Sequence, residues 1–179
     1  MNKFINANAD ACIGCKTCEI ACVLAHGEEI KTLESAYFNA RLRVIEVGDI
    51  TVPVMCHQCE DAPCMLACPN GAIIRQNYHI EVLQEKCIGC KTCVLACPFG
   101  AMKVKLKTQD LIVAGHVRGK RYKAQAIKCD ICYTDSKGPA CVRACPTDAL
   151  SLVDPEELVK IQETRQLESI FRHVKSSSL

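Results

Sequence analysis

Apolar positions recur along this chain in short bursts, and the bursts differ in period. From Ala101 to Lys107 the pattern alternates: Met102, Val104 and Leu106 fall on one face, and Lys103, Lys105 and Lys107 on the other, as in a half-solvated strand. Leu42 to Val47 alternates less cleanly, with Arg43 and Glu46 interposed, but its β-branched residues favour a strand. Phe4-Ile5 is a shorter signal of the same kind. Three stretches share a proline, a turn residue, an alanine and an apolar residue: Pro69-Asn70-Gly71-Ala72-Ile73, Pro98-Phe99-Gly100-Ala101-Met102 and Pro146-Thr147-Asp148-Ala149-Leu150. Each reads as a turn feeding a short strand. Val23-Leu24-Ala25 lacks the proline, so that segment is expected to run on as helix.

Near the C-terminus the period changes. Asp154-Pro155-Glu156-Glu157 has an N-capping acid, a proline at the first helical position and acids in the first turn. Leu158, Ile161, Leu167, Ile170, Phe171 and Val174 follow at mostly helical intervals, and Arg172, His173 and Lys175 give a basic last turn. This helix is expected either to fold back over the body of the protein or to pack against another chain. Residues 108–126, with Gly115 and Gly119 among Arg118, Lys120, Arg121 and Lys123, read as an exposed loop, with a docking surface as the alternative.

Composition alters this picture through cysteine. Sixteen of 179 residues are Cys, there is no Trp, and there are four Phe. The nominal 49% hydrophobic content therefore overstates the material for an ordinary core, and a group bound to the cysteines is expected to supply cohesion. Met1 to Ala11 carries no apolar segment of signal-peptide type, and no apolar run approaches the roughly 18–20 residues of a membrane span. A cytoplasmic, reducing location is expected, where dense cysteines argue for metal rather than disulfides. Basic residues are interspersed with acids and lack alternating aromatics, so nucleic acid is not an expected partner.

The cysteines fall into four quartets: Cys12, Cys15, Cys18 and Cys22; Cys56, Cys59, Cys64 and Cys68; Cys87, Cys90, Cys93 and Cys97; Cys129, Cys132, Cys141 and Cys145. All keep two residues in the first gap, three in the last, and an alanine before the final cysteine; the middle gap is two, four, two and eight residues. The first and third open with the same letters, C-I-G-C-K-T-C. A tight C-x2-C-x2-C loop can point three thiolates at three irons of one cubane, while the fourth cysteine reaches a neighbouring cluster. Structural zinc would instead place two knuckles well apart. The expected cofactors are four [4Fe–4S] clusters. Sixteen thiolates and four oxidised cores would carry the formal charge from +2 to about −6. Gly14 and Gly89 are expected where a side chain would obstruct backbone wrapped around a cluster, and Lys16 and Lys91 are either solvated or potential-tuning.

Cross-ligation joins the quartets in pairs, giving two bacterial-type 2[4Fe–4S] ferredoxin modules in an α+β fold with short antiparallel strands and a C-terminal helix. Spacing alone leaves open whether the first quartet pairs with the second or the fourth. No catalytic constellation is present: His26, His57, His79, His116 and His173 form no spaced motif, no G-x-G-x-x-G opens a helix, and each cluster has four cysteines, leaving no open iron. His57, between two ligands, has either a local structural role or a hydrogen bond to cluster sulfur.

The segments C-I-G-C-K-T-C-E-I-A-C at 12–22, C-H-Q-C-E-D-A-P-C-M-L-A-C-P-N-G-A-I at 56–73, C-I-G-C-K-T-C-V-L-A-C-P-F-G-A-M at 87–102 and K-C-D-I-C with G-P-A-C-V-R-A-C-P-T-D-A-L across 128–150 resemble the four-cluster electron-transfer subunits of bacterial molybdenum- or tungsten-enzyme complexes. The likeness is greatest to the small ferredoxin-like subunits of formate hydrogenlyase and hydrogen-dependent carbon dioxide reductase. The resemblance implies nesting: Cys12, Cys15, Cys18 and Cys145 on one cluster; Cys129, Cys132, Cys141 and Cys22 on its neighbour; Cys56, Cys59, Cys64 and Cys97 on a third; Cys87, Cys90, Cys93 and Cys68 on the fourth. It implies an outer module begun by residues 1–50 and completed within 108–153 after a linker loop, an inner module at 51–107 and a helical extension at 154–179. It further implies a non-catalytic relay between a formate dehydrogenase-type subunit and hydrogenase subunits, with self-assembly through the C-terminal helix. A freely diffusing polyferredoxin and a structural zinc module are the alternatives.

Overall fold

Proline placement sets the helix lengths in the computed structural model, which describes residues 1–27, 39–113 and 115–176. In chain order the elements are β1 (Phe4–Ala7), α1 (Thr17–Ala25), β2 (Leu42–Val47), β3 (Ile50–Met55), α2 (Pro63–Leu66), β4 (Ile73–Gln76), β5 (His79–Val82), α3 (Thr92–Ala96), β6 (Lys103–Val113), β7 (His116–Ile127), α4 (Ala140–Arg143), β8 (Leu150–Val153) and α5 (Pro155–Ser176). The helices α2, α3 and α4, each followed within three residues by Pro69, Pro98 or Pro146, last four or five residues. The helix without that stop, α1, runs for nine and buries Val23 beside Cys18 and Cys22.

The fold is mixed α+β, with short antiparallel strands and a long terminal helix. Each strand pairs with one other: β1 with β8, β2 with β3, β4 with β5, and β6 with β7, all antiparallel. Three pairs are local hairpins. In β4–β5 the two turn residues, Asn77 and Tyr78, both have positive φ, the geometry whose twist suits two-residue hairpins. The β1–β8 pair brings the two ends of the body together, with Phe4 opposite Val153 and Ala7 opposite Leu150.

Two apolar clusters result. One joins Ile5, Leu42, Val44, Met55, Ile131 and Leu150 to Cys18, Cys22, Cys129 and Cys141; the other joins Ala62, Ile73, Ile80, Met102 and Ala126 to Cys93. Cysteine sulfur is thus part of both cores.

Several expectations need revision. The segment expected as an exposed linker loop is strand: β6 and β7 form a two-stranded ribbon of 11 and 12 residues with a register irregularity at Leu111/Ile112. On the paired strands Lys107, Arg121 and Lys123 share one face, while Leu106 and Tyr122 lie on the other and are exposed. β3 is hydrogen-bonded to β2, and β6 continues beyond the expected strand to Val113. The terminal helix starts where its cap residues indicate, with Glu157 N–H donating to Asp154 Oδ1 at 3.2 Å. It does not fold back: beyond half-buried Leu158 and Ile161, Leu167, Ile170 and Phe171 are exposed. The side chains expected as its basic last turn, and Val174, lie outside the described residues.

Candidate metal centres

All four cysteine groups open on a loop whose residue before the second cysteine turns left-handed: φ is 70° at Gly14, 52° at Gln58, 71° at Gly89 and 54° at Ile131. That turn aims backbone N–H groups at sulfur. Gln58 N–H donates to Cys56 Sγ and Ile131 N–H to Cys129 Sγ, both at 3.4 Å. Farther along the chain, Ala72 N–H reaches Cys68 Sγ at 3.3 Å and Arg41 N–H reaches Cys22 Sγ at 3.4 Å. Two hydroxyls do the same at equivalent places: Thr17 Oγ1 donates to Cys15 Sγ at 3.3 Å and Thr92 Oγ1 to Cys90 Sγ at 3.4 Å. These threonines, aided by their own N–H groups, hold the Cys15 and Cys90 thiols below the usual value.

The glycines have a second reason beyond φ. A Cβ at Gly89 would overlap Ala124 Cβ on β7, and one at Gly14 would lie 3.3 Å from Thr51 Cγ2 on β3. Close approach of β7 therefore demands glycine at position 89 as well as the loop conformation, while at position 14 Thr51 would have to give by a few tenths of an ångström. Thr51 Oγ1 also donates to Cys12 O at 2.9 Å, pinning the first loop against β3.

Among the described residues, three recesses are each lined by four cysteines. Cys68, Cys87, Cys90 and Cys93 face one of about 360 Å³, walled by Ile73, Val82, Val104 and Ala126. Cys56, Cys59, Cys64 and Cys97 face a second of about 340 Å³ with Ile80, Phe99 and Met102, and Cys12, Cys15, Cys18 and Cys145 face a third of about 320 Å³ with Val44, Pro53 and Leu150. A sulfur donor set in an apolar recess suits a soft metal–sulfide group and not a hydrated hard cation.

The remaining four sulfurs belong to the best-covered region. Cys22, Cys129 and Cys141 are buried and Cys132 is half-buried. Burial, with the neighbouring thiols adding, pushes Cys141 up to about 12 and Cys22 up to about 11; it pushes Cys129 up strongly. Cys132 adds to the rise at both Cys22 and Cys141, and Cys141 to that at Cys129, so these sulfurs lie within electrostatic reach of one another. Burial likewise pushes Cys18 and Cys64 up to about 11. Without a cation these sulfurs keep their protons; iron is the kind of partner that turns them into thiolates.

Beside Cys132 lies a group with no signal in sequence. His26 Nε2 is 4.0 Å from Cys132 Sγ and 3.5 Å from Asp130 Oδ1, and the ligand atoms of these three residues lie within 4.8 Å of one another. Arg41 already pairs with Asp130 at 2.6 Å, so the carboxylate is engaged by a guanidinium. Of the other residues singled out in sequence, His57 stacks on Phe99 with ring centroids 4.0 Å apart, and Lys16 pairs with Glu46 at 3.8 Å on the surface. The residues following Lys16 and Lys91 are the ones that touch sulfur. Recurrence of K-T-C in two quartets was the available clue.

Among the described residues no helix is long and apolar enough to cross a membrane. Two families described as 4Fe-4S binding domains match the chain, at residues 80–103 and 9–22. The chain is 46% identical over 168 residues to the electron transport protein HydN of Escherichia coli, covering 93% of this chain and 96% of HydN. It is 39% identical over 182 residues to an iron–sulfur protein of Rhodospirillum rubrum, covering 96% and 93%. It is 48% identical over 167 residues to AegA of Escherichia coli but spans only 24% of that longer protein. Sulfur-lined recesses, matches to 4Fe–4S binding domains and near end-to-end similarity agree that the chain belongs to the family of iron–sulfur proteins that includes the electron transport protein HydN.

Proposed function

We propose that this protein is a non-catalytic relay that carries single electrons through four [4Fe–4S] clusters between a formate-oxidising or carbon dioxide-reducing enzyme and a hydrogenase in the cytoplasm. The observation that carries the reading is the lining of three apolar recesses by cysteine quartets drawn from different stretches of chain. The proposed ligand sets are Cys12, Cys15, Cys18 and Cys145; Cys22, Cys129, Cys132 and Cys141; Cys56, Cys59, Cys64 and Cys97; and Cys68, Cys87, Cys90 and Cys93. In this arrangement an inner 2[4Fe–4S] ferredoxin module at residues 51–107 is inserted into an outer one begun by residues 1–50 and completed within 108–153. Pairing of β1 with β8 and the two separate apolar cores support that nesting.

In this reading the sets follow one another in a row. Cys18 lies within electrostatic reach of Cys141, and Cys56 within reach of Cys129, which joins the first set to the second and the second to the third. The third and fourth are joined through the packing of α2 against α3. Bound clusters supply one-electron chemistry between 2+ and 1+ core states. The chain holds the sulfurs in a rigid cage, excludes water with aliphatic walls, and aims N–H and hydroxyl dipoles at ligand sulfur, which favours the more negative, reduced state. Exposed apolar residues on the ribbon and on α5 favour an assembled subunit over a freely diffusing carrier.

The formate and hydrogenase partners rest on the motif resemblance. Anaerobic purification from cells tests both parts: about 16 iron and 16 acid-labile sulfide per chain are expected, with visible absorbance bleached by reductant and restored by oxidant, and both enzymes among the co-purifying chains. Zinc without sulfide refutes the relay; a loaded protein that co-purifies with neither enzyme refutes the partners.

A further inference from the structure

In the proposed row of four centres, the junction at the middle is built by Lys128 and Gln58. Lys128 is 3% exposed. Its ammonium donates to Cys129 O at 2.7 Å, to Gln58 Oε1 at 3.3 Å and to Ile80 O. Three N–H donors meet three acceptors, a full complement for an ammonium. All three acceptors are neutral, and among the described residues no carboxylate pairs with this cation. Buried charges are ordinarily paired with an opposite charge, so an ammonium surrounded only by dipoles calls for an anion nearby.

Gln58 completes the junction. It is 2% exposed, and its Nε2 donates to Cys129 O at 2.8 Å while its Oε1 accepts from Ile80 N–H at 2.9 Å. It occupies the left-handed position, between Cys56 and Cys59, that is glycine in the first and third cysteine groups. A side chain there is strained relative to glycine, so its presence is explained by what the amide does. Lys128 and Gln58 thus hook the backbone of Cys129, from the second set, onto the loop of the third.

We propose that Lys128, positioned by Gln58, is a fixed positive charge between the second and third centres that stabilises added electrons there and makes the middle of the row easier to reduce than it would otherwise be. This inference rests on the relay reading above. Each of the two centres gains negative charge when it accepts an electron, and a cation in a low-dielectric junction stabilises that charge more than water would. Lys128 donates to the carbonyl of Cys129, a proposed ligand, and acts on the centres through its charge and not as a ligand itself.

The test is a potentiometric titration followed by electron paramagnetic resonance, on anaerobically purified protein with measured iron and sulfide. The two central centres are identified by signals altered in Cys56→Ser and Cys129→Ser. Lys128→Gln should keep wild-type iron content yet lower the reduced-to-oxidised ratio of those two centres about tenfold at a fixed potential, equivalent to 59 mV for one electron. The outer two should move little, and Lys128→Arg should restore the ratio. Gln58→Glu keeps the Oε1 acceptor but sets a carboxylate against the ammonium, and should shift the same two centres in the same direction. Unchanged potentials in an iron-replete Lys128→Gln protein overturn the inference, as does an equal shift at all four centres. Loss of iron in both neutralising variants and in Lys128→Arg reduces Lys128 to a structural brace and overturns it too. Wild-type protein lacking iron and sulfide fails the relay reading itself.

Discussion

Gly89 offers a quantitative test of how tightly the metal-binding loops are set against their neighbours. Replacing it with alanine incurs two separate costs. The first is conformational: φ is +71°, and an L side chain in that region costs about 1–2 kcal/mol. The second is steric: the new methyl would overlap Ala124 Cβ on β7, and overpacking of this kind typically costs about 1–3 kcal/mol more. Gly89→Ala should therefore destabilise by about 2–5 kcal/mol. Gly100→Ala shares the positive φ but meets nothing within 4 Å, so only the first cost of about 1–2 kcal/mol applies. Gly14→Ala, 3.3 Å from Thr51 Cγ2, should lie between them. With about 2–4 °C per kcal/mol for a chain of this size, Gly89→Ala should lower the midpoint of cluster loss by roughly 4–20 °C. Thermal bleaching of the visible absorbance under anaerobic conditions reads this directly. The steric part can be isolated by adding Ala124→Gly, which removes the overlapped methyl and should recover that part alone. Equal losses at all three glycines, or no recovery in the double variant, would refute the close packing of the third loop on β7.

Thr17→Val and Thr92→Val remove the hydroxyl donors to Cys15 and Cys90, and each should lower one centre's reduction potential by roughly 20–60 mV with iron content unchanged. Redox titration checks this; an unmoved potential would mean that the hydroxyls do not act on the sulfurs. Because burial holds Cys18, Cys22, Cys64 and Cys141 protonated up to about 11–12, loading iron should release protons, and reconstitution should improve between about pH 6.5 and about pH 8.5. A pH-stat measures the release directly, and assembly without it would mean that the thiols were already ionised. Truncation after Val153 removes α5 and its cap Asp154, which pairs with Lys3 at 3.9 Å; the residues of α5 beyond Ile161 are exposed along its described length. It should leave iron content intact while reducing particle size in light scattering, and unchanged size would exclude α5 from assembly.

Local features were the legible ones. Cysteine spacing, the three proline-bearing turns and the Asp154-Pro155 start all act within a few residues, and the corresponding loops, short helices and α5 appear where their chemistry indicates. The β6–β7 ribbon was legible only at its start: alternation from Ala101 to Lys107 opens β6, but the polar Thr108-Gln109-Asp110, Gly115, Gly119 and a run of cations resemble a solvated loop. The contact of His26 with Cys132 spans 106 residues and leaves no trace in either neighbourhood. Lys128 was visible as a letter before Cys129, but its burial depends on Gln58 and Ile80, which only the packed chain brings to it.

Antiparallel pairing of β1 with β8 has a consequence for how the protein is made. Phe4 leaves the ribosome 149 residues ahead of its partner Val153. At about 5–20 residues per second the interval is roughly 7–30 s. During that time Cys12, Cys15 and Cys18 have emerged on the nascent chain, while Cys145, which lines the same recess, has not yet been translated. The stretch from Cys56 to Cys97 emerges whole well before that, so cofactor insertion can begin in the interior of the polypeptide and finish at its ends. Oxidative damage to newborn chains should accordingly fall first on the N-terminal thiols.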